Sequence, residues 1–258
     1  MSDSPVIVEE RGSIWHVRIN APRRRNALSE AVVAELEAVV ARVARQKQLR
    51  AVILSGVGEK AFCAGADLKE RRAMDEAEVR QFVGALNRMM RAIADSPKVW
   101  IAAIQGACLG GGLELAMCCD LRVARRDARI GLPEVRLGII PGAGGTQRLA
   151  RLIGLARAKE LLLTGLPVSA ERAEYLGLLN RVGDDHLAEA DALAAEVAKC
   201  APISLTQAKA AVDGGWDLHL EAGLCWERAC YAVTIPTKDR LEALEAFAEK
   251  RAPIYKGE

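Results

Sequence analysis

Gly110-Gly111-Gly112-Leu113-Glu114-Leu115-Ala116-Met117-Cys118-Cys119 is the stretch on which the reading of the fold turns. The glycines break the chain, and residues 113–119 read as a buried helix with one carboxylate inside it. A carboxylate in an apolar setting is costly unless it is neutralised or hydrogen-bonded. Burial also raises its pKa toward the range useful for proton transfer. Glu134 has the same character: it comes after Gly131-Leu132-Pro133 and precedes Gly138-Ile139-Ile140-Pro141-Gly142-Ala143-Gly144-Gly145. Both glutamates lie beside glycine turns, where a ligand can approach the backbone closely. The pair suggests an acid/base site.

Outward from this segment, the chain alternates short apolar runs with amphipathic ones. Residues 6–9 and Ile14–Ile19 alternate like a hairpin bent at Arg11-Gly12-Ser13. Ser29 caps a helix whose apolar residues Val32, Val33, Leu36, Val39, Val40 and Val43 recur at helical spacing. Residues 51–54, Val99–Ile104 and residues 121–124 read as buried strands, with a polar helix over residues 75–93. This strand–strand–helix rhythm occurs more than once in the first ~195 residues, with loops of the short length expected in an α/β domain. From Asp185 onward only helices are expected, punctuated by Pro202, Gly214-Gly215 and Pro236. A helical tail of this kind needs a surface to pack on, because isolated helices are marginal.

Composition excludes several function classes. The chain of 258 residues is 51% apolar, enough for a sizeable core and unlike a disordered chain. Its 36 basic and 34 acidic residues nearly cancel, so there is no electrostatic reason for nucleic acid or an anionic membrane to be the main partner. The seven cysteines include no C-x-x-C pair and read as buried free thiols in a reducing cytosol. His16, His186 and His219 stand apart without ligand spacing, so no metal site is expected. No apolar run approaches the ~18 residues of a membrane span, and a cytoplasmic location is expected.

Three glycine-containing elements carry the chemistry. Ala61-Phe62-Cys63-Ala64-Gly65-Ala66-Asp67-Leu68-Lys69-Glu70 comes after a strand, with small residues whose amides can face a ligand oxygen. Gly110-Gly111-Gly112 opens a helix, where unpaired N–H groups and the dipole favour developing negative charge. Pro141-Gly142-Ala143-Gly144-Gly145-Thr146-Gln147 turns into another helix. Two backbone donors from separate elements make an oxyanion hole. No G-x-S-x-G elbow and no histidine beside a serine or cysteine supplies an activated nucleophile. Two carboxylates with an oxyanion hole fit chemistry through an enolate.

Each feature has a plainer rival. Glu114 can be a first-turn carboxylate favoured by the helix dipole, and Glu134 a surface residue after a proline turn. Cys63 reads as apolar filler beside Phe62, since nothing nearby lowers its pKa. Arg23-Arg24-Arg25 is either a solvated turn or a phosphate clamp.

Taken together, the motifs at 61–69, 109–116, 119–124 and 140–149 resemble the crotonase, or enoyl-CoA hydratase, superfamily. The likeness runs through Pro22, Asn26-Ala27-Leu28 and the C-terminal Ala-Phe-Ala-Glu-Lys-Arg at 246–251. Within it, the stretches at 62–71 and 229–242 and the ending at 250–258 look most like the methylglutaconyl-CoA hydratase branch. The resemblance implies an α/β fold, a crotonase-like spiral of β-β-α units over 1–195, with a helical trimerisation region over 196–258. The expected assembly is a homo-oligomer, a trimer or a dimer of trimers.

By motif position, Ala64 and Gly111 would supply the oxyanion amides, and Glu114 and Glu134 the catalytic carboxylates. Arg23, Arg24 and Arg25 would border the CoA nucleotide, though many relatives carry a more apolar stretch there. Ala66 and Asp67 would lie near the adenine, Leu68 would be a further contact to CoA or substrate, and Phe247 and Lys250 would reach a neighbouring subunit's CoA. Members that isomerise, hydrolyse or decarboxylate typically lack one glutamate, so keeping both favours a hydro-lyase. The implied reaction is hydration of 3-methylglutaconyl-CoA to 3-hydroxy-3-methylglutaryl-CoA in leucine breakdown. Coenzyme A enters as part of the substrate, and no separate cofactor is expected.

A distal substrate carboxylate needs a cation, and Lys69, Arg71, Arg72, Lys238 and Arg240 are the candidates. A broad short-chain enoyl-CoA hydratase is the alternative. An RNA-binding protein is the rival from another class, but the helix from Ser29 to Gln48 offers it only Arg42, Arg45 and Lys47 against Glu30, Glu35 and Glu37.

Overall fold

One device recurs along the chain: a strand enters a large sheet, a short second strand turns off into a smaller sheet, and helices carry the chain back. The computed structural model describes residues 4–258. It opens with β1 (Val6–Arg11) and β2 (Ile14–Ile19), an antiparallel pair in register from Val6↔Ile19 to Arg11↔Ile14. The first strand therefore runs two residues beyond the expected 6–9, right up to the turn at Gly12 (φ 60°). α1 (Glu30–Ala44) begins where Ser29 Oγ accepts the Val32 N–H, and the six apolar residues read at helical spacing are all buried.

The next units share one plan. β3 (Ala51–Gly56) leads to β4 (Ala61–Cys63), then α2 (Leu68–Ala73) and α3 (Glu76–Ala94). β5 (Val99–Ile104) leads to β6 (Ala107–Leu109) and α4 (Gly111–Cys118). β7 (Leu121–Arg125) leads to β8 (Arg129–Gly131), a 3-10 turn over Glu134–Leu137, α5 (Gly145–Ile153) and α6 (Leu155–Thr164). β9 (Val168–Ser169), α7 (Ala170–Tyr175) and β10 (Arg181–Gly183) close the sheets. The six-stranded sheet runs β1-β2-β3-β5-β7-β10 and the four-stranded one β4-β6-β8-β9. First strands thus stack in one sheet and second strands in the other, which is the β-β-α spiral.

Both faces of the large sheet are buried, as a mostly parallel sheet requires. Val52, Leu54, Trp100, Ala102 and Ile104 point into the main core, while Ala51, Ile53, Ile101 and Ala103 point to the other face. That second face is covered by α8 (His186–Ala198), whose Ala190 and Ala194 let it lie close. Each large apolar side chain fully buried here contributes about 1.5–3 kcal/mol.

Beyond α8 come α9 (Pro202–Gly215), α10 (Leu220–Thr234) and α11 (Lys238–Glu249). They bury few residues and leave Val212, Trp216, Leu220, Tyr231 and Phe247 exposed. The terminal residues fold back onto α11, where buried Asp239 accepts the N–H groups of Lys256 and Gly257. Among the described residues, no helix is long and apolar enough to cross a membrane. The short helix α2 and the three-residue strands of the small sheet escaped the sequence reading, being too short to show a period.

α4 approaches β4 backbone to backbone. A Cβ on Gly112 would lie 2.1 Å from the Cys63 carbonyl oxygen, so only glycine lets the helix start touch that strand. Backbone cannot give way cheaply at that distance. Gly112→Ala is expected to destabilise the fold by about 1–3 kcal/mol, read as a lowered Tm; an unchanged Tm would show that α4 can lift off β4 freely.

Candidate active site

Glu114 lies in the first turn of α4, where its N–H bonds to the Gly110 carbonyl and its side chain crosses to the loop before α5. Its Oε1 accepts the N–H groups of Ala143 and Gly145, each at 2.8 Å. A Cβ on Gly145 would stand 2.9 Å from that oxygen, which explains the glycine. The two amides, with Arg148 nearby, favour the ionised form, but burial works harder and the Glu114 pKa is raised. Hydrogen bonds to a charged acceptor are among the stronger ones in proteins. The third glycine element is therefore a clamp on Glu114, a role its sequence did not reveal.

Glu134 is in a different environment. It opens the 3-10 turn after Pro133 and is only 7% exposed, so the surface reading fails. Its Oε2 is buried without a hydrogen-bond partner. Burial, helped by the charge of Glu114, pushes its pKa up to about 7.

Both carboxylates line one cavity of about 520 Å³, together with Ala64, Gly111 and the apolar side chains of Leu86, Leu137 and Ile140. Gly111 is the first residue of α4, and its N–H meets no acceptor among the described residues. The Gly65 turn packs against it, since a Cβ on Gly65 would come within 3.3 Å of the Gly111 nitrogen. The Ala64 N–H donates at 3.1 Å to the carbonyl of Arg25. Arg25 and Asn26 both hold left-handed backbone, φ 53° and 55°. Buried Asn26 sustains this strained pair: its Oδ1 accepts the Ala21 N–H and its Nδ2 donates to the carbonyls of Val57 and Ala61.

Two buried glutamates and a free helix-start amide thus share one cavity. The family model for enoyl-CoA hydratase/isomerase matches residues 9–258. The chain belongs to the enoyl-CoA hydratase/isomerase family. It is 46% identical to the human enoyl-CoA hydratase domain-containing protein 2, mitochondrial, over 95% of this chain and 86% of that one. It is 44% identical to human mitochondrial methylglutaconyl-CoA hydratase, over 97% of this chain and 76% of the relative. The crystal structure of an enoyl-CoA hydratase from Bacillus anthracis superposes with a TM-score of 0.96 at 46% identity, covering 98% and 100% of the two chains. The α/β crotonase fold is thereby established.

For this hydratase/isomerase family member, the structure gathers some expected site residues and disperses others. Ala66, Leu68 and Arg71 join Ala64, Gly111 and both glutamates at the cavity. Buried Asp67 caps α2 and pairs with Arg24 at 2.9 Å; Arg24 also pairs with Glu70 at 3.1 Å. Arg24 is thus neutralised within the chain, while the side chains of exposed Arg23 and Arg25 have no partner among the described residues.

Lys69 and Arg72 are exposed and lie off the cavity. Lys238 pairs with Glu258, and Arg240 donates to the Ile235 carbonyl. Phe247 projects from α11 at 87% exposure and Lys250 ends that helix, neither of them at this chain's cavity. Arg42, weighed for RNA, pairs with Glu10 and stacks on Trp15. Cys63 is buried, its thiol pushed up to about 12, and remains a filler.

The raised pKa of Glu134 makes a stability prediction. The native state holds its proton up to about 7, whereas the ordinary value is 4.5, so the native state binds more protons in that interval. Stability from this group therefore falls as pH rises from 4.5 to 7. Glu134→Gln removes the penalty: its Tm should gain on wild type progressively across that interval and level off above it. A Tm difference independent of pH would contradict the buried, proton-holding state of Glu134.

Proposed function

We propose that this protein is a hydro-lyase that adds water across the Cα=Cβ bond of an enoyl-CoA thioester. One observation carries the reading: two buried carboxylates, in unlike environments, face the same cavity beside a helix-start amide. The thioester carbonyl oxygen would accept the N–H of Gly111, where the α4 dipole favours negative charge. The second donor is the Ala64 N–H, shared with the Arg25 carbonyl in a three-centre bond. Polarised in this way, Cβ becomes electrophilic and the developing enolate is stabilised.

Glu114, ionised against its two amides, takes a proton from water as the water oxygen bonds to Cβ. Glu134, which holds its proton near neutral pH, delivers that proton to Cα. One carboxylate gains a proton, the other loses one, and exchange with solvent resets the pair.

Arg71 supports the finer assignment to methylglutaconyl-CoA. It is the one cation lining the cavity among the described residues. Its guanidinium stacks on Phe82 and makes no ion pair among those residues. A substrate with a distal carboxylate would meet there the bidentate donor that an otherwise apolar pocket lacks. The name methylglutaconyl-CoA hydratase belongs to some relatives and other names to others of similar identity, so the substrate rests on Arg71. In the same proposal, Arg23 and Arg25 bind CoA phosphates, and the exposed apolar face of α9–α11 joins copies into a trimer or dimer of trimers. Phe247 and Lys250 would thereby approach a neighbour's CoA. A cytoplasmic location is part of the proposal too, to be settled by cell fractionation.

Glu114→Gln and Glu134→Gln should each lower kcat by at least about a hundredfold with little change in KM, because each acts on the transition state. Either variant turning over normally would remove that glutamate from the reaction. Methylglutaconyl-CoA should exceed crotonyl-CoA in kcat/KM, and Arg71→Ala should abolish that preference while sparing crotonyl-CoA. Better turnover of crotonyl-CoA by the wild type would overturn the branch assignment alone. Sedimentation should show a trimer or hexamer, and a fully active monomer would refute the assembly.

A further inference from the structure

A side chain outside the cavity is connected to Glu114 through a single peptide group. Asn87, on the exposed face of α3, donates from Nδ2 to the Gly142 carbonyl at 2.7 Å and to the Val83 carbonyl at 2.9 Å. The Gly142 carbonyl and the Ala143 N–H are the two ends of one peptide bond, which is planar and rigid. That Ala143 N–H is one of the two donors to Glu114 Oε1. The order is thus Asn87 amide, Gly142 carbonyl, Ala143 N–H, carboxylate. Rotating the peptide away from Asn87 rotates the N–H away from Glu114.

Donation to a carbonyl also polarises the peptide and strengthens its N–H as a donor, since hydrogen bonds in a chain reinforce one another. The buried side chain of Ala143 packs the loop into the core, and few hydrogen bonds set the tilt of its peptide. Gly142 and Gly144 add no side chains, and Arg148 grips the next peptide only weakly, from Nη1 to the Ala143 carbonyl at 3.3 Å. Asn87 itself is anchored, because its second bond to Val83 fixes the amide along α3.

We propose that Asn87 is a positioning residue for the hydration step, fixing through the Gly142–Ala143 peptide the N–H that holds Glu114 Oε1 toward the substrate water. The inference rests on the reading of Glu114 as the water-activating base. Other charged groups face Glu114 from the elements packed on it: Glu134 from the 3-10 turn and Arg148 from α5. The Cys118 thiol on α4 is pushed up to about 12 by burial and stays neutral.

The test compares Asn87→Ala and Asn87→Asp with wild type in kcat, KM, Tm and the pH dependence of kcat, using whichever enoyl-CoA is turned over fastest. Asn87→Asp preserves size but replaces the donor by an acceptor that faces the Gly142 carbonyl. Loss of one hydrogen bond in the relay is expected to lower kcat roughly tenfold in Asn87→Ala, and at least as much in Asn87→Asp, with KM close to wild type. The acid limb of the pH profile should move to higher pH in both, since the ionised form of Glu114 loses support.

Because the side chain is exposed, both variants should keep the wild-type fold, which the Tm checks. An Asn87→Asp enzyme that behaves as wild type would overturn the proposal. So would a loss of kcat with an unmoved acid limb, which would assign Asn87 to structure only. A Glu114→Gln enzyme that still hydrates would instead remove the reading beneath the proposal. Glu114→Gln inactive with Asn87 variants unaffected would sink the positioning role alone.

Discussion

The site depends on the two amide bonds that the loop before α5 makes to one oxygen of Glu114. Without them the carboxylate would be a charge in an apolar helix, and burial would leave it protonated and unable to take a proton from water. With them it can be ionised while still raised in pKa, which is what a base working near neutral pH requires. Glu134 has no such clamp on its Oε2 and is pushed up to about 7. The same pair of carboxylates is thus divided into unlike partners by the backbone clamp on Glu114, the charge of Arg148 beside it and the burial of Glu134.

That geometry constrains the rest of the chain. Glu114 must sit at the start of a helix whose first N–H faces the cavity, and the helix must lie against the strand leading to Ala64. The glycine at 112 allows that contact, since any Cβ would meet the Cys63 carbonyl. The spiral does the rest: second strands of successive units lie side by side in the small sheet, so their ends, carrying Ala64, Gly110 and the approach to Glu134, emerge together. The large sheet, buried on both faces, serves as the rigid support.

Much of this was legible in the sequence because it rested on strong periodic or local signals. The valines and leucine of α1 recur at helical spacing, β3 and β5 are continuous apolar runs, and two glutamates beside glycine turns announce themselves as out of place. The small sheet was not legible, because three residues show neither alternation nor length. The clamp at Ala143 and Gly145 was hidden for another reason: it uses backbone, and backbone donors leave no residue type to read. The Ala64 amide was expected to face a ligand, and its bond to the Arg25 carbonyl depends on two consecutive left-handed residues that no sequence rule favours for arginine. Arg71 stood among five candidate cations, and only its placement on the cavity separates it from Lys69 and Arg72.

The central claim is that this pair of carboxylates performs hydration, not double-bond migration or thioester cleavage. Turnover of an enoyl-CoA in ¹⁸O-labelled heavy water, analysed by mass spectrometry and NMR, tests it directly. The account predicts one ¹⁸O at Cβ and one deuterium at Cα, with the thioester intact. A product carrying deuterium but no ¹⁸O, with the double bond moved, or free CoA with ¹⁸O in a released acid, would contradict it.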